Sequence, residues 1–177
     1  MQASYPSWKF YPSRSPAPDW VEDVLGCFRE VRHAIDSREQ SGVSSDSVLA
    51  HIRPTLEGVG FLVERGKTVA EKITRPVLFG DDGKAVVAYD VDAFHSGHGV
   101  VLEVEAGRGA ANNADYRDLV RASLMVDAKF LILAMMLEYR SGAQTWRSYE
   151  RTRDRIDAIY ASDRLRLPLE GLLLIGY

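Results

Sequence analysis

The 177-residue sequence has a single cysteine, Cys27, so it cannot form an internal disulfide. One unpaired cysteine fits a reducing compartment. Long hydrophobic runs are also missing, because the longest apolar segment, residues 130–137, is far too short to span a bilayer. Residues 1–20 contain no apolar core of signal-peptide length. We therefore expect a cytoplasmic protein that does not enter a membrane.

An excess of charge of one sign is absent too. The chain has 22 Lys and Arg against 25 Asp and Glu, a net charge of −3. Bulk charge therefore does not identify a nucleic-acid binder or a membrane-surface protein. No internal repeat or low-complexity segment is present. A hydrophobic content of 46% is typical of a globular protein with a sizeable core, and the length predicts one domain.

Residues 1–18 have an unusual composition of prolines and aromatic residues. The residues are Pro6, Pro12, Pro16, Pro18, Tyr5, Trp8, Phe10 and Tyr11. Four prolines exclude a regular helix. We expect an N-terminal arm that packs on its own domain or on a second copy, with a loosely docked tail as the alternative. Residues 19–177 are then expected to form a single α/β domain.

Hydrophobic periodicity predicts the order of the secondary structure. Three- and four-residue spacing predicts helices over residues 20–35, 48–56, 114–126 and 148–161. Alternation or continuous apolarity predicts strands over residues 61–65, 73–79, 85–94, 100–107, 129–137 and 170–177, with a buried helix as the alternative for residues 129–137. The predicted fold is therefore α/β, with a mixed central β-sheet flanked by helices.

Four carboxylates lie on the two strands that flank the turn at residues 95–99: Asp90, Asp92, Glu103 and Glu105. No Lys or Arg lies between positions 84 and 108 to balance them. Alternate residues of a strand share a face, so Glu103 and Glu105 point the same way and Asp92 lies about opposite Glu103. Like charges at such distances repel by roughly 1 kcal/mol or more per pair. This pattern indicates a solvated strand face, or a cluster compensated by arginines, raised pKa values or a divalent cation.

The arrangement around these acids resembles the PD-(D/E)XK nuclease superfamily over about residues 46–137. A helix precedes a three-stranded meander, with Asp92 on the second strand and "EVE" on the third, and a helix and a buried strand follow. The resemblance implies a restriction-endonuclease-like αβββαβ core. Val91 stands where the motif has proline, and Glu105 stands where it has lysine. A glutamate at that place is known in one branch of type II restriction endonucleases.

The resemblance also implies a chemistry, namely hydrolysis of DNA phosphodiester bonds with Mg²⁺ or Mn²⁺. By this resemblance Asp92, Glu103 and the carbonyl of Val104 ligate the metal. Glu105 positions or deprotonates the attacking water, or helps to hold a second ion. A glutamate cannot stabilise the phosphorane charge as lysine does. The alternatives are therefore a catalytically inactive nuclease-fold binding or assembly protein, favoured if an arginine lies among the acids, and an interaction protein that dimerises through its N-terminal arm.

Candidate contacts to the DNA follow the acidic strand in the sequence. They are Arg108, Asn112, Asn113, Arg117 and Arg121. For Arg117 the alternative is an ion pair with the acidic cluster itself. A second arginine stripe, at positions 147, 151 and 155, has four-residue spacing, but acids three residues away favour a solvated helix face.

Other residues near the acidic hairpin have simpler explanations. Asp90 lies two residues before Asp92 and is its rival as a metal ligand. His95 and His98 flank the turn, but a zinc site needs more ligands of the right type. Cys27 falls on an apolar helix face, where a core thiol is expected.

Overall fold

A computed structural model describes residues 5–107, 112–162 and 164–177. Within these ranges the helices are α1 (Trp20–Glu30), α2 (Arg32–Ile35), α3 (Ser45–Gly58), α4 (Ala114–Leu124) and α5 (Ser148–Ser162). The strands are β1 (Ser7–Tyr11), β2 (Leu62–Val63), β3 (Ile73–Phe79), β4 (Ala85–Val91), β5 (Ala93–His95), β6 (Val100–Glu105), β7 (Phe130–Met135), β8 (Tyr139–Ser141), β9 (Gln144–Trp146) and β10 (Gly171–Gly176). None of the helices in these ranges is long and apolar enough to cross a membrane.

The centre of the protein is a six-stranded mixed sheet in the order β1-β10-β7-β6-β5-β2. Strands β6, β7 and β10 run parallel, whereas β1, β5 and β2 each pair antiparallel with their neighbours. The central position of β7 explains the continuous apolarity of its sequence "FLILAM", because a central parallel strand is buried on both faces. The predicted α/β architecture with a mixed central sheet is confirmed.

Helices cover both faces of this sheet. Helices α1, α2 and α3 pack on one face through a cluster that includes Phe28, Ile52 and Ile132. Helices α4 and α5 pack on the other face through a cluster that includes Leu119 and Ile156. The single cysteine is buried in the first cluster. Two apolar layers thus hold the sheet, and α4 lies on the same side as the end of β6.

Part of the predicted N-terminal arm belongs to the central sheet. Strand β1 pairs antiparallel with β10, with Trp8 opposite Ile175. Tyr11 stacks on Tyr160 at a centroid distance of 5.1 Å, and its hydroxyl donates to Asp157 at 2.7 Å. Residues 7–11 therefore pack on their own chain, while residues 1–4 lie outside the described ranges.

The strands before the acidic hairpin differ from the sequence prediction. Strands β3 and β4 leave the central sheet and pair only with each other, and β2 instead completes the antiparallel set β2-β5-β6. The single strand predicted over residues 85–94 is broken at Asp92, because β4 ends at Val91 and β5 begins at Ala93. A further hairpin, β8–β9, was not predicted. The break places Asp92 at a bend, where its side chain need not follow the alternation of either strand.

Candidate active site

Asp92 lies at the bend between β4 and β5, beside the middle of β6. Ala93 pairs with Leu102, so the next position along the ladder sets Asp92 beside Glu103. The backbone N–H of Val104 donates to Oδ2 of Asp92 at 2.7 Å. Burial, with the charge of Glu64 as a further cause, raises the pKa of Asp92 to about 6 although this hydrogen bond lowers it. The carboxylate is therefore held in place but retains uncompensated charge.

Glu103 is the most buried member of the predicted trio, with 8% of its surface exposed. None of the described residues donates a hydrogen bond to its carboxylate or forms an ion pair with it. Burial and the charges of Asp92 and Asp118 raise its pKa well above the ordinary value, and only Arg121 acts in the opposite direction among the main causes. A buried carboxylate in this state favours a proton or a cation.

Glu105 lies at the end of β6 and has an arginine beside it. Arg117 donates from Nη2 to Oε1 of Glu105 at 2.7 Å and from Nε to Oδ1 of Asp118 at 3.0 Å. Burial and Asp118 raise the pKa of Glu105 to about 8, whereas Arg117 lowers it. The ion pair considered for Arg117 from the sequence is thus present. Arg117 pairs with Glu105. Within the described ranges, no arginine or lysine forms an ion pair with Asp92 or Glu103.

Glu64 is a further acid at the site that the sequence analysis missed. It follows β2, its backbone N–H donates to the carbonyl oxygen of Asp92 at 2.8 Å, and it is 7% exposed. Lys67 donates to its Oε1 at 2.8 Å. The charge of Glu64 raises the pKa of Asp92 and the charge of Lys67 lowers it, so both residues affect the ionisation of the site. The sequence feature that could have identified Glu64 is its position as a charged residue directly after the apolar segment "FLV".

Asp118 is the other acid that the sequence analysis missed. It lies on α4, is 1% exposed, and contacts Arg117 and, at 3.6 Å, Nη1 of Arg121. Arg121 also donates to the carbonyl oxygen of Asp90 and lies 5.2 Å from the ring of Tyr89. Because positions 117 and 121 are one helical turn apart, both guanidinium groups lie on the side of α4 that faces the acids.

The remaining predicted substrate contacts are less close to the acids. Asn112 is exposed. Asn113 has a left-handed backbone conformation, with φ of 58°, at the start of α4, and its Oδ1 accepts a hydrogen bond from Arg155 at 3.1 Å. Arg108 lies outside the described residues. Val104, the predicted carbonyl ligand, sits between Glu103 and Glu105 on β6.

The rival residues from the sequence have partners of their own. Asp90 is held by Lys72 at 2.5 Å and by Thr74 at 3.0 Å on the β3–β4 hairpin, and its pKa is lowered chiefly by Lys72. The rings of His95 and His98 contact each other at 4.6 Å. Across residues 5–107, 112–162 and 164–177, no three His, Cys, Asp or Glu side chains are grouped so as to hold a metal ion by themselves.

The chemistry of the donors nevertheless fits magnesium. Mg²⁺ is a hard cation that takes one or two protein carboxylates and completes its shell with waters and phosphate oxygens. Asp92 and Glu103 offer two such carboxylates, and burial, together with the charges of neighbouring acids, raises the pKa of each. These two residues could therefore hold the ion without a closed set of protein ligands.

Comparison with known proteins gives structural matches but no sequence matches. No protein-family model and no curated protein matches the chain. The restriction endonuclease BglII complexed with a DNA 16-mer has a TM-score of 0.55 at 12% identity, covering 98% of this chain and 76% of that chain. Free BglII gives 0.51 at 10% identity, covering 98% and 79%. The protein therefore has a restriction-endonuclease-like fold.

Proposed function

We propose that the protein is a metal-dependent endonuclease that hydrolyses phosphodiester bonds of DNA with Mg²⁺ or Mn²⁺. The observation that carries this proposal is the buried pair Asp92 and Glu103, which share a raised pKa and have no arginine or lysine partner among the described residues. The bound DNA in one BglII structure supports DNA as the substrate. The single cysteine supports a reducing compartment, the cytoplasm, as the location.

In this mechanism the acids divide into metal ligands and a proton acceptor. Asp92, Glu103 and the carbonyl of Val104 would hold the metal, which when bound would supply polarisation of the scissile phosphate and a lowered pKa for the attacking water. Glu105 would accept the proton of that water at a carboxylate oxygen, since burial and Asp118 raise its pKa and make its ionised form a stronger base than an ordinary carboxylate.

Positive charge for the substrate comes from α4 and the segment before it. The Arg117 side chain is 58% exposed, so its guanidinium can contact a phosphate while it remains beside Glu105. Arg121, Asn112, Asn113 and Arg108 complete the proposed contacts. Arginines bind phosphate through paired hydrogen bonds and release counterions from the DNA.

One observation favours a second candidate, a catalytically inactive nuclease-fold protein that binds DNA or acts in assembly. Glu105 replaces the lysine of the motif and is paired with Arg117 at 2.7 Å. In this alternative the ion pair fixes the carboxylate as a structural group and leaves no base for the water. The two candidates differ in cleavage and not in binding.

Cleavage of supercoiled plasmid with Mg²⁺ or Mn²⁺ tests the proposal. We expect wild type to cleave and Glu103→Gln to lose at least about 100-fold in rate, as expected when a metal ligand is removed. The matched control is Asp90→Asn, a carboxylate two residues from Asp92 that pairs with Lys72 instead. Equal cleavage by wild type and Glu103→Gln would identify a contaminating nuclease and contradict the proposal.

A binding assay that does not depend on cleavage distinguishes the second candidate from the endonuclease. Fluorescence anisotropy of a labelled duplex in Ca²⁺ reports binding independently of turnover. A wild-type protein that binds DNA but does not cleave it in any of these metals would establish the inactive alternative. A protein that neither binds nor cleaves DNA would overturn the endonuclease and leave only the assembly role of the second candidate.

A further inference from the structure

An open cavity of about 990 Å³ lies at the end of the central sheet that is remote from the acids. Its walls are the turn after β1, the last turns of α5 and the segment that leads into β10, and its lining includes Pro12, Arg14, Ile159, Tyr160, Leu167 and Leu169. Gly171, the first residue of β10, pairs with Phe130 at the start of β7, whereas Glu105 pairs with Met135 at the other end of β7. The cavity is therefore separate from the candidate active site.

The wall that comes from the N-terminal arm is held in place by hydrogen bonds. Lys9 donates to Oδ1 of Asp157 at 2.6 Å, and the Tyr11 hydroxyl donates to the same oxygen at 2.7 Å, which joins β1 to α5. The backbone N–H of Ser15 donates to the carbonyl oxygen of Pro12 at 2.9 Å and closes the turn. This wall is thus formed before any ligand enters, as is usual for pockets that bind small molecules.

The floor of the cavity is apolar. Ile159, Tyr160, Leu167 and Leu169 are partly buried and pack against the apolar cluster between α5 and the sheet. Sites for small molecules usually measure about 300–1,000 Å³ and combine apolar and aromatic walls with a few polar groups. The cavity has this size and this composition, so it fits a small organic molecule with an apolar body.

The charged residues of the cavity favour an anion. Arg14 and Arg166 both line it, and no acid in the described part of the chain forms an ion pair with Arg14. The two acids in the lining, Asp157 and Glu170, each pair with a lysine, at 2.6 and 3.7 Å. The charge of Arg14 is therefore available to a ligand, and a guanidinium group binds carboxylate, sulfonate or phosphate oxygens through paired hydrogen bonds.

Tyr160 adds a hydrogen-bond donor to the same cavity. Its ring stacks on Tyr11 at a centroid distance of 5.1 Å. Among the residues that the structure describes, none forms a hydrogen bond with the Tyr160 hydroxyl. Burial raises the pKa of Tyr160, so the hydroxyl keeps its proton and can donate it to an acceptor atom of a ligand.

We propose that this cavity binds a small organic anion, a molecule with an apolar ring system and one acidic group. The rings lie against Ile159, Leu167 and Leu169, and the acidic group accepts hydrogen bonds from Arg14. The proposal does not rest on nuclease activity, because the cavity lies at the opposite end of the central strands from the acids. It also gives the turn after β1 a role that the candidate active site does not use.

Fluorescence titration with 8-anilinonaphthalene-1-sulfonate tests the proposal, because this dye has an apolar ring system and one sulfonate. We expect wild type to bind it with a Kd of about 10–100 µM, as expected for a ligand of this size. Ala161→Phe should weaken binding at least about tenfold, because Ala161 is an exposed residue of the lining and a larger side chain there fills the cavity. The matched control is Ala158→Phe, an exposed alanine of α5 outside this lining, which should bind as wild type does.

A second variant tests the anionic group. Arg14→Gln should weaken binding of the sulfonate dye about three- to fivefold, the effect of losing an exposed ion pair. It should leave the binding of N-phenyl-1-naphthylamine unchanged, because this molecule has the same rings and no sulfonate. Circular dichroism establishes that each variant is folded.

Three results would overturn the proposal. The first is a wild type that does not bind the dye. The second is an Ala161→Phe variant that binds it as tightly as wild type, because the dye would then occupy another apolar surface. The third is an Arg14→Gln variant that binds the sulfonate dye unchanged or weakens both molecules equally, because the arginine would then contribute no recognition of the anion.

Discussion

The Asp92 carboxylate accepts a 2.7 Å hydrogen bond from the backbone N–H of Val104, the residue between Glu103 and Glu105. The bond crosses from the bend after β4 to the centre of β6. It ties Asp92 to the strand that carries the other two acids, and the charge of Asp92 contributes to the raised pKa of both Glu103 and Glu105.

Stability should fall as the pH rises from about 5 to 8.5 in the absence of metal. Asp92 and Glu105 have pKa values of about 6 and 8 in the folded chain, above ordinary values of 3.8 and 4.5. The folded chain therefore binds these protons more tightly, and the resulting stabilisation is present at low pH and lost as the pH passes each folded pKa. Urea denaturation at half-unit pH steps measures this. A flat or rising free energy of unfolding would contradict it.

Carboxyl groups whose pKa is lowered in the folded chain do not change the free energy of unfolding between about pH 5 and 8.5. Asp36 and Asp157 are held ionised by arginine and lysine neighbours. Their stabilisation is complete above pH 4 and is lost only when the pH falls through their lowered values. The slope above pH 5 therefore reports the acidic cluster.

Glu103→Gln should stabilise the metal-free protein at pH 8. The change removes a buried carboxyl whose raised pKa makes folding less favourable at pH 8, and it keeps the side-chain shape, so we expect about 1–3 kcal/mol. The same variant should lose most of the increase in Tm that Mn²⁺ gives to wild type. Thermal melts with and without Mn²⁺ measure both effects. Glu57→Gln, which removes a carboxylate paired with Arg65 at the surface, is the control and should show neither.

Lys67→Gln should increase the affinity for Mn²⁺. The ammonium lies 2.8 Å from Glu64 and lowers the pKa of Asp92, so it partly neutralises the charge that a metal would neutralise. Its loss removes this competition, which isothermal titration calorimetry would detect as a lower Kd. Lys84→Gln, at the hairpin tip, is the control. A higher Kd in Lys67→Gln would show instead that the lysine assists metal binding.

Arg117→Gln should destabilise the protein at pH 8. Asp118 is buried and would lose its 3.0 Å hydrogen bond, although Arg121 remains nearby at 3.6 Å. Since Arg117 is itself more than half exposed, we expect about 1 kcal/mol, less than the roughly 1.5–3 kcal/mol of a buried hydrogen bond to a charged group. Urea denaturation measures it. Arg140→Gln, an equally exposed arginine paired with Glu138, is the control and should change stability by less than about 0.5 kcal/mol.

Local patterns in the sequence were sufficient for most of the helices and strands. Strand alternation predicted that Asp92 lies about opposite Glu103; the ladder ends one position away, at Ala93 and Leu102, and the Asp92 carboxylate bonds to Val104. The continuous apolarity of residues 129–137 predicted the buried strand β7. Each of these predictions depends on residues close together in the chain, where periodicity is informative.

The features that the sequence did not predict depend on distant pairing. Glu64 reaches the site because its backbone bonds to Asp92, 28 positions later, and no periodicity encodes that contact. The bend at Asp92 arises where the β3–β4 hairpin ends and the central sheet begins. Strand β1 lies within a proline-rich segment, and its partner β10 is at the far end of the chain.

The two edges of the central sheet limit how the protein can assemble. One edge is β1, which is followed directly by Pro12, and the other is β2, with two residues. Proline cannot donate to a ladder, so Pro12 stops a foreign strand from extending past the end of β1, and the two residues of β2 offer few free backbone groups. Short edges of this kind limit the length over which another chain could pair with the sheet.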